Sequence, residues 1–237
     1  MTRRSLWLSV ALVLVVLVGL GAAAYRTLTH VPAFYGQAGC VADAERKKVS
    51  QELGERLLNF FVNDIRYEAD WHTSVGDQEL NCWLAHDFVH SNLAEQLPEG
   101  IHEPRVEFRD DRILFGFRYG QGSLSAIVSI EARLWLPKRE PNVIVMEFLS
   151  VRLGAMPLAI KVLQDELNVR ARQQNVKVLW YRHDGHPTAV LKLQADRREP
   201  TIQLRSLEVR PGRLAIKGRS LEPALRNVPL PPARATP

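Results

Sequence analysis

The spacing of hydrophobic residues along this chain changes character several times, and each change predicts an element. Leu6 to Ala24 (LWLSVALVLVVLVGLGAAA) is 19 residues without a charge. At 1.5 Å per residue it makes about 29 Å of helix, roughly the thickness of a bilayer hydrocarbon core. After a stretch holding Pro32, Gly36 and Gly39, residues Val49, Leu53, Leu57, Phe60, Phe61 and Ile65 recur at helical spacing, predicting an amphipathic helix over 41–65. A second helix is expected within 71–93. Ser74 and Asp77 match a capping box, Leu80, Trp83, Leu84 and Phe88 share one face, and Pro98-Glu99-Gly100 ends it.

From Arg105 the period becomes two. Val106 and Phe108 lead to a turn at Asp110-Asp111, and Ile113, Phe115, Phe117 and Tyr119 alternate with Leu114, Gly116 and Arg118. Beyond Gly120-Gln121-Gly122, Leu124, Ala126, Val128, Ile130, Ala132, Leu134 and Leu136 form an apolar face opposed by Ser125, Ser129, Glu131 and Arg133. Val143 to Leu153 returns as a strand whose two apolar halves are reconciled by a bulge near Glu147. The stretch VRLGAMPLAIKVLQDEL then turns at Gly154 and continues as a helix from Leu158 to Gln174. Val176–Tyr181 and Thr188–Leu193 read as a hairpin through Asp184-Gly185, and Ile202–Val209 and Leu214–Gly218 as another around Pro211-Gly212.

Short connections imply antiparallel pairing, hence an α+β fold: an N-terminal transmembrane helix, then a long, curved, mostly antiparallel sheet with helices on one face. The domain boundaries that follow are 1–25 for the cytoplasmic start and anchor, 26–40 for a linker, 41–220 for an extracytoplasmic domain, and 221–237 for a disordered Pro-rich tail. A cleaved signal peptide competes with the anchor, since Arg3-Arg4 precede the apolar run and Ala22-Ala23-Ala24 follow it. The run exceeds the usual length of a signal h-region, which favours an anchor. Arg3 and Arg4 against Arg26 place the N-terminus in the cytoplasm and the rest outside a cell membrane crossed once.

Composition changes little: 46% apolar and 24% charged residues in 237 is globular, not disordered. The net charge of +5 is concentrated between Arg197 and Arg219, where seven basic residues face Glu199 and Glu208. Beside a bilayer such residues, Arg210 and Arg213 among them, favour anionic headgroups; a solvated strand face accounts for them equally well. No nucleic-acid motif accompanies the charge. Cys40 and Cys82 either pair in an oxidising compartment or stay as separate thiols.

Candidate chemistry is sparse. His86 and His90 stand four apart around Asp87, like a zinc-binding helix with Asp in place of Glu, but no third ligand follows. His183-Asp184-Gly185-His186 is a hairpin turn first. GQGSLSA is neither a nucleophile elbow nor a phosphate loop. Glu131 and Glu147, on neighbouring strands, read as an outward charge and a bulge residue before an acid/base pair. The expectation is no enzyme, no metal and no cofactor.

The remaining signal is apolar surface. Phe115, Phe117, Val128, Ile130, Leu134, Met146 and Phe148, with Leu80, Leu84, Phe88, Leu163 and Leu167, either fill a core or line a groove between sheet and helices that admits acyl chains. A helix carrying DQELNCWL, then long strands, then the VRLGAMPL corner, resembles the bacterial YpmS-type membrane-anchored proteins of uncharacterised function. Asp77, Leu80 and Asn81 match their helix motif; Gly154, Met156, Pro157 and Leu158 match their corner, with Ala159 where a second proline is common. The chain is similar, more distantly, to LmeA-type phospholipid-binding proteins of tubular lipid-binding fold. The resemblance implies an extracytoplasmic module holding a phospholipid or another apolar envelope molecule. An envelope scaffold with a filled core and an unidentified protein partner is the alternative.

Overall fold

The computed structural model describes residues 3–39, 42–91, 95, 97–122, 125–138, 140, 142–173, 176–193 and 201–221, with the side chains of the first helix described from Leu14 onward. That helix, α1, spans Arg3–Leu28. Among the described residues no helix is long and apolar enough to cross a membrane. A short α2 (Ala33–Gln37) follows, then α3 (Asp43–Asn59), which continues through a π-helical turn (Phe60–Asp64) into α4 (Ile65–Tyr67). After β1 (Asp70–Gly76) come α5 (Asp77–Ala85), β2 (Ile101–Arg109), β3 (Arg112–Tyr119), β4 (Ala126–Trp135), β5 (Val143–Leu153) and a two-residue β6 (Met156–Pro157). The chain ends its described course with α6 (Lys161–Gln173), β7 (Lys177–His183), β8 (His186–Lys192), β9 (Ile202–Arg210) and β10 (Arg213–Ser220).

The fold is α+β, and every strand pairing is antiparallel. Instead of one long sheet, the described residues form two. A larger one runs β2-β3-β4-β5-β8-β7 with β6 beside β5, and a smaller one runs β1-β10-β9. Asn142 joins them: its side chain accepts from the Leu204 amide and donates to the Ile202 carbonyl, holding β9 against the start of β5.

The expected helix start at Ser74 is incorrect. Ser74 lies in β1, paired with Ala215 of β10, a partner so distant in sequence that no local pattern announces it. The N-cap of α5 is Gly76, whose amide donates to Glu79 Oε2 at 2.9 Å. The helix also stops at Ala85, so Phe88, His86 and His90 sit in the turns that follow. In β5 the bulge falls at Leu149, between the pairs Glu131↔Ser150 and Ala132↔Phe148.

The segment expected as a linker is seated on the large sheet. Phe34 and Tyr35 of α2 are buried with Leu114 and Ile127, edge to face over Gly116. A Cβ at Gly116 would approach the Tyr35 and Phe34 rings to 2.8 and 2.9 Å, so only glycine lets α2 settle there. Tyr35 donates its hydroxyl to the Glu103 carbonyl, and Arg105 donates to the Tyr35 and Ala38 carbonyls. Burial first, then the charge of Glu103, raises the Tyr35 hydroxyl above its ordinary pKa. Helices therefore cover both faces of the sheet, with α2 opposite α5 and α6. The Pro-rich tail, together with Arg197 and Arg198, falls outside the described residues.

Candidate functional site

The register of the large sheet gathers the apolar strand residues onto one face. Phe115 pairs with Ile130, Phe117 with Val128, Leu134 with Met146, and Phe148 with Ala132. Ile130, Ala132, Phe148, Val151 and Ala189 form a buried floor. Phe115, Phe117, Leu134, Met146, Leu163 and Leu167 stand around it half-buried, with Val178 and Trp180 at the β7 side. This apolar face is therefore packed around its floor, with its rim partly exposed. Leu80, Leu84 and Phe88 lie on the same side of the sheet but pack elsewhere, with Val106, Phe108 and Val209 at the β2 end. Leu84 and Phe88 line a cavity of about 700 Å³ between α5 and the 97–105 segment.

A more polar groove of about 970 Å³ follows the β2–β3 turn, lined among others by Asp77, Asn81, Arg109, Asp111, Arg112 and Gly212. Asn81, 5% exposed, donates to the Val106 carbonyl and accepts from the Val106 amide, both at 2.8 Å. It thus clamps the outer edge of β2 onto α5, a role the sequence reading did not assign. Arg210 and Arg213 stand at the β9–β10 turn, which docks on this end of the sheet through Asp77 N–H to Gly212 O and Gly212 N–H to Phe108 O. Arg210 pairs with Glu208 at 2.8 Å.

The other face of the sheet carries charge. Glu131 accepts from Arg112 at 2.7 Å, while Glu147, 1% exposed, meets Arg133 and His183 at 3.2 Å each. The two carboxylates are thus held by separate cations on separate strands. The His183 ring lies tilted against Trp135 with centroids 5.5 Å apart. The His86 and His90 rings are 5.8 Å apart, and His86 Nδ1 bonds Asp87, which also accepts from Ser50 Oγ. Ser50 first, then His86, lowers the Asp87 carboxyl below its ordinary range. Among the described residues no three His, Cys, Asp or Glu side chains gather as a metal site.

Two further features shape the site. Cys82 is wholly buried and disulfide-bonded, while Cys40, the other cysteine, lies outside the described residues. The corner at Gly154 is where α1 meets the domain. Gly154 (φ +59) donates its amide to Ile127 O, and Ala155 donates to Thr27 O at 2.8 Å. A Cβ on Gly154 would come within 2.3 Å of Thr27 O and 2.4 Å of Leu28 O. Glycine is required both for the left-handed backbone and for this close approach. No family, curated protein or solved structure matches the chain.

Proposed function

We propose that this chain is a membrane-anchored, extracytoplasmic module that holds a phospholipid or similar apolar envelope molecule and performs no covalent chemistry on it. The observation that carries the reading is the continuous apolar face of Phe115, Phe117, Leu134, Met146, Leu163 and Leu167, packed on a buried floor yet itself only partly buried. Acyl chains gain about 25 cal/mol for each Å² of apolar surface they remove from water there. The anchor is supported by the 19-residue uncharged run lying wholly within α1, whose large side chains from Leu14 to Leu20 are 51% to 69% exposed. The domain does not cover them, and hydrocarbon would. The Cys82 disulfide supports an oxidising compartment, where such bonds persist. The likeness to YpmS-type and LmeA-type proteins points the same way.

Native mass spectrometry of the full chain, extracted gently from membranes, is expected to find retained lipid, reduced severalfold in Phe117→Asp. A chain that never retains lipid, and exchanges none with labelled vesicles, refutes the reading. The second reading, an envelope scaffold, is favoured by one observation: β7 is an edge strand with Leu179 54% and Tyr181 42% exposed. Such an edge can take a partner strand, and Leu179→Lys would then abolish a specific pull-down without changing lipid retention.

A further inference from the structure

We infer that a small cavity at the foot of α1, on the face of the sheet opposite that apolar face, binds an anionic phosphate group, with a phospholipid headgroup as its source. The cavity, about 200 Å³, has an apolar wall of Pro32, Phe34, Leu114 and Ile130 and a polar one of His30, Ser129, Glu131, Ser150 and Arg152, beside Gly154 and Ala155. Ser129 pairs in register with Arg152 and Glu131 with Ser150, so β4 and β5 present these four side chains on one face, and His30 comes from the segment that leaves α1.

Their bonding state suits an anion. Glu131 is engaged by Arg112 at 2.7 Å, which neutralises the one carboxylate present. No hydrogen bond or ion pair within the described residues occupies the side chains of His30, Ser129, Ser150 or Arg152. Two hydroxyls, an imidazole and a guanidinium are thus free to converge on a tetrahedral oxyanion, and the guanidinium fork matches phosphate geometry. The surroundings carry the same sign. From the N-terminus to Ala42, and again from Phe148 to Gln164, the sequence holds no Asp or Glu, while Arg26 and Lys161 flank the cavity in sequence.

The source follows from position and rests on the anchor reading above. The hydrogen bond from Ala155 to Thr27 fixes the cavity beside the last turn of α1, where a spanning helix meets the headgroup layer. Exposed Val31, Met156 and Leu158 adjoin it and suit the apolar boundary beneath the headgroups.

The test uses the full chain in a maltoside detergent, titrated separately with inorganic phosphate, dihexanoyl phosphatidylglycerol and dihexanoyl phosphatidylcholine. Phosphatidylglycerol is expected to bind best, and Arg152→Gln to weaken it at least about fivefold. Ser150→Ala weakens it less. Arg152 is exposed and unbonded, so both variants keep the fold, which circular dichroism checks. Equal affinity in wild type and Arg152→Gln overturns the site, and binding of inorganic phosphate without lipid overturns the headgroup source. Alkaline carbonate extraction tests the anchor independently: a chain released from membranes refutes the anchor while the phosphate titration still reports on the cavity.

Discussion

Replacing Asn81 should cost more than any other single polar side chain on α5. Its amide satisfies both backbone groups that Val106 presents at the edge of β2, at 2.8 Å each, and the side chain is buried. Asn81→Ala removes two hydrogen bonds worth about 0.5 to 1.5 kcal/mol each net, and leaves a buried amide and carbonyl without partners at about 1 to 3 kcal/mol each. Asn81 and Val106 also border the polar groove, so water can recover part of that loss. The expected destabilisation is about 2 to 4 kcal/mol. With a urea m-value of about 2 to 3 kcal/mol/M, the midpoint falls by about 1 M.

Asn81→Asp separates bonding from volume. A carboxylate there still accepts from the Val106 amide but opposes the Val106 carbonyl, so burial and repulsion raise its folded pKa above the unfolded value near 3.9. A raised folded pKa contributes stability that is complete below the unfolded pKa and is lost as pH rises through the folded one. Asn81→Asp should therefore approach wild type near pH 4 and fall well below it at pH 7. A midpoint shift under about 0.3 M for Asn81→Ala, or an Asp variant whose deficit is independent of pH, refutes the clamp.

Gly154→Ala is expected to release the foot of α1 instead of unfolding the domain, because the clash is with the Thr27 and Leu28 carbonyls. Limited proteolysis between Leu28 and Phe34 should accelerate at least about tenfold, and an unchanged rate refutes the docking. Since Cys82 is disulfide-bonded and the sequence has one other cysteine, non-reducing peptide mapping should recover Cys40 linked to Cys82. Closing a loop of about 40 residues is worth about 4 kcal/mol in the chain-entropy account, so Cys82→Ala should lower the thermal midpoint by several degrees. Arg56, by two hydrogen bonds at 3.1 and 2.7 Å, and then the Gly76 amide hold the Glu79 carboxyl below its ordinary range. A depressed folded pKa gives stability that is present above the unfolded value, near pH 4.3, and lost as pH falls through the folded one. Arg56→Ala should therefore lower stability at pH 7 and nearly match wild type near pH 2; an equal deficit at both refutes the pairing as its cause.

Strands set by alternation and tight turns were legible in the sequence: β3, β4 and the Asp184-Gly185 hairpin stand within a few residues of expectation, because period and turn chemistry are local. So was the β9–β10 hairpin around Pro211-Gly212, but the third strand of the small sheet was not. β1 is seven residues whose partner, β10, lies near the far end of the chain, and a strand is stabilised by whatever it pairs with. The end of α5 was overrun because Phe88 keeps helical spacing while packing from a turn. The strand residues of the expected apolar groove do share one face; that Leu80, Leu84 and Phe88 belong to a second cluster depended on where α5 sits.

What the sequence by itself determined is the periodic part: an N-terminal helix around a 19-residue uncharged run, alternating strands with one apolar face, and a glycine corner. Tertiary structure alone decided what these face. It divided the strands between two sheets, laid the apparent linker across one of them, and turned Gly154 from a bend into the socket for α1. The physical reason is that hydrophobic periodicity depends on neighbours three or four residues away. Edge pairing, backbone clamps such as Asn81 and close approaches at glycine depend on atoms that meet only after the chain has closed on itself.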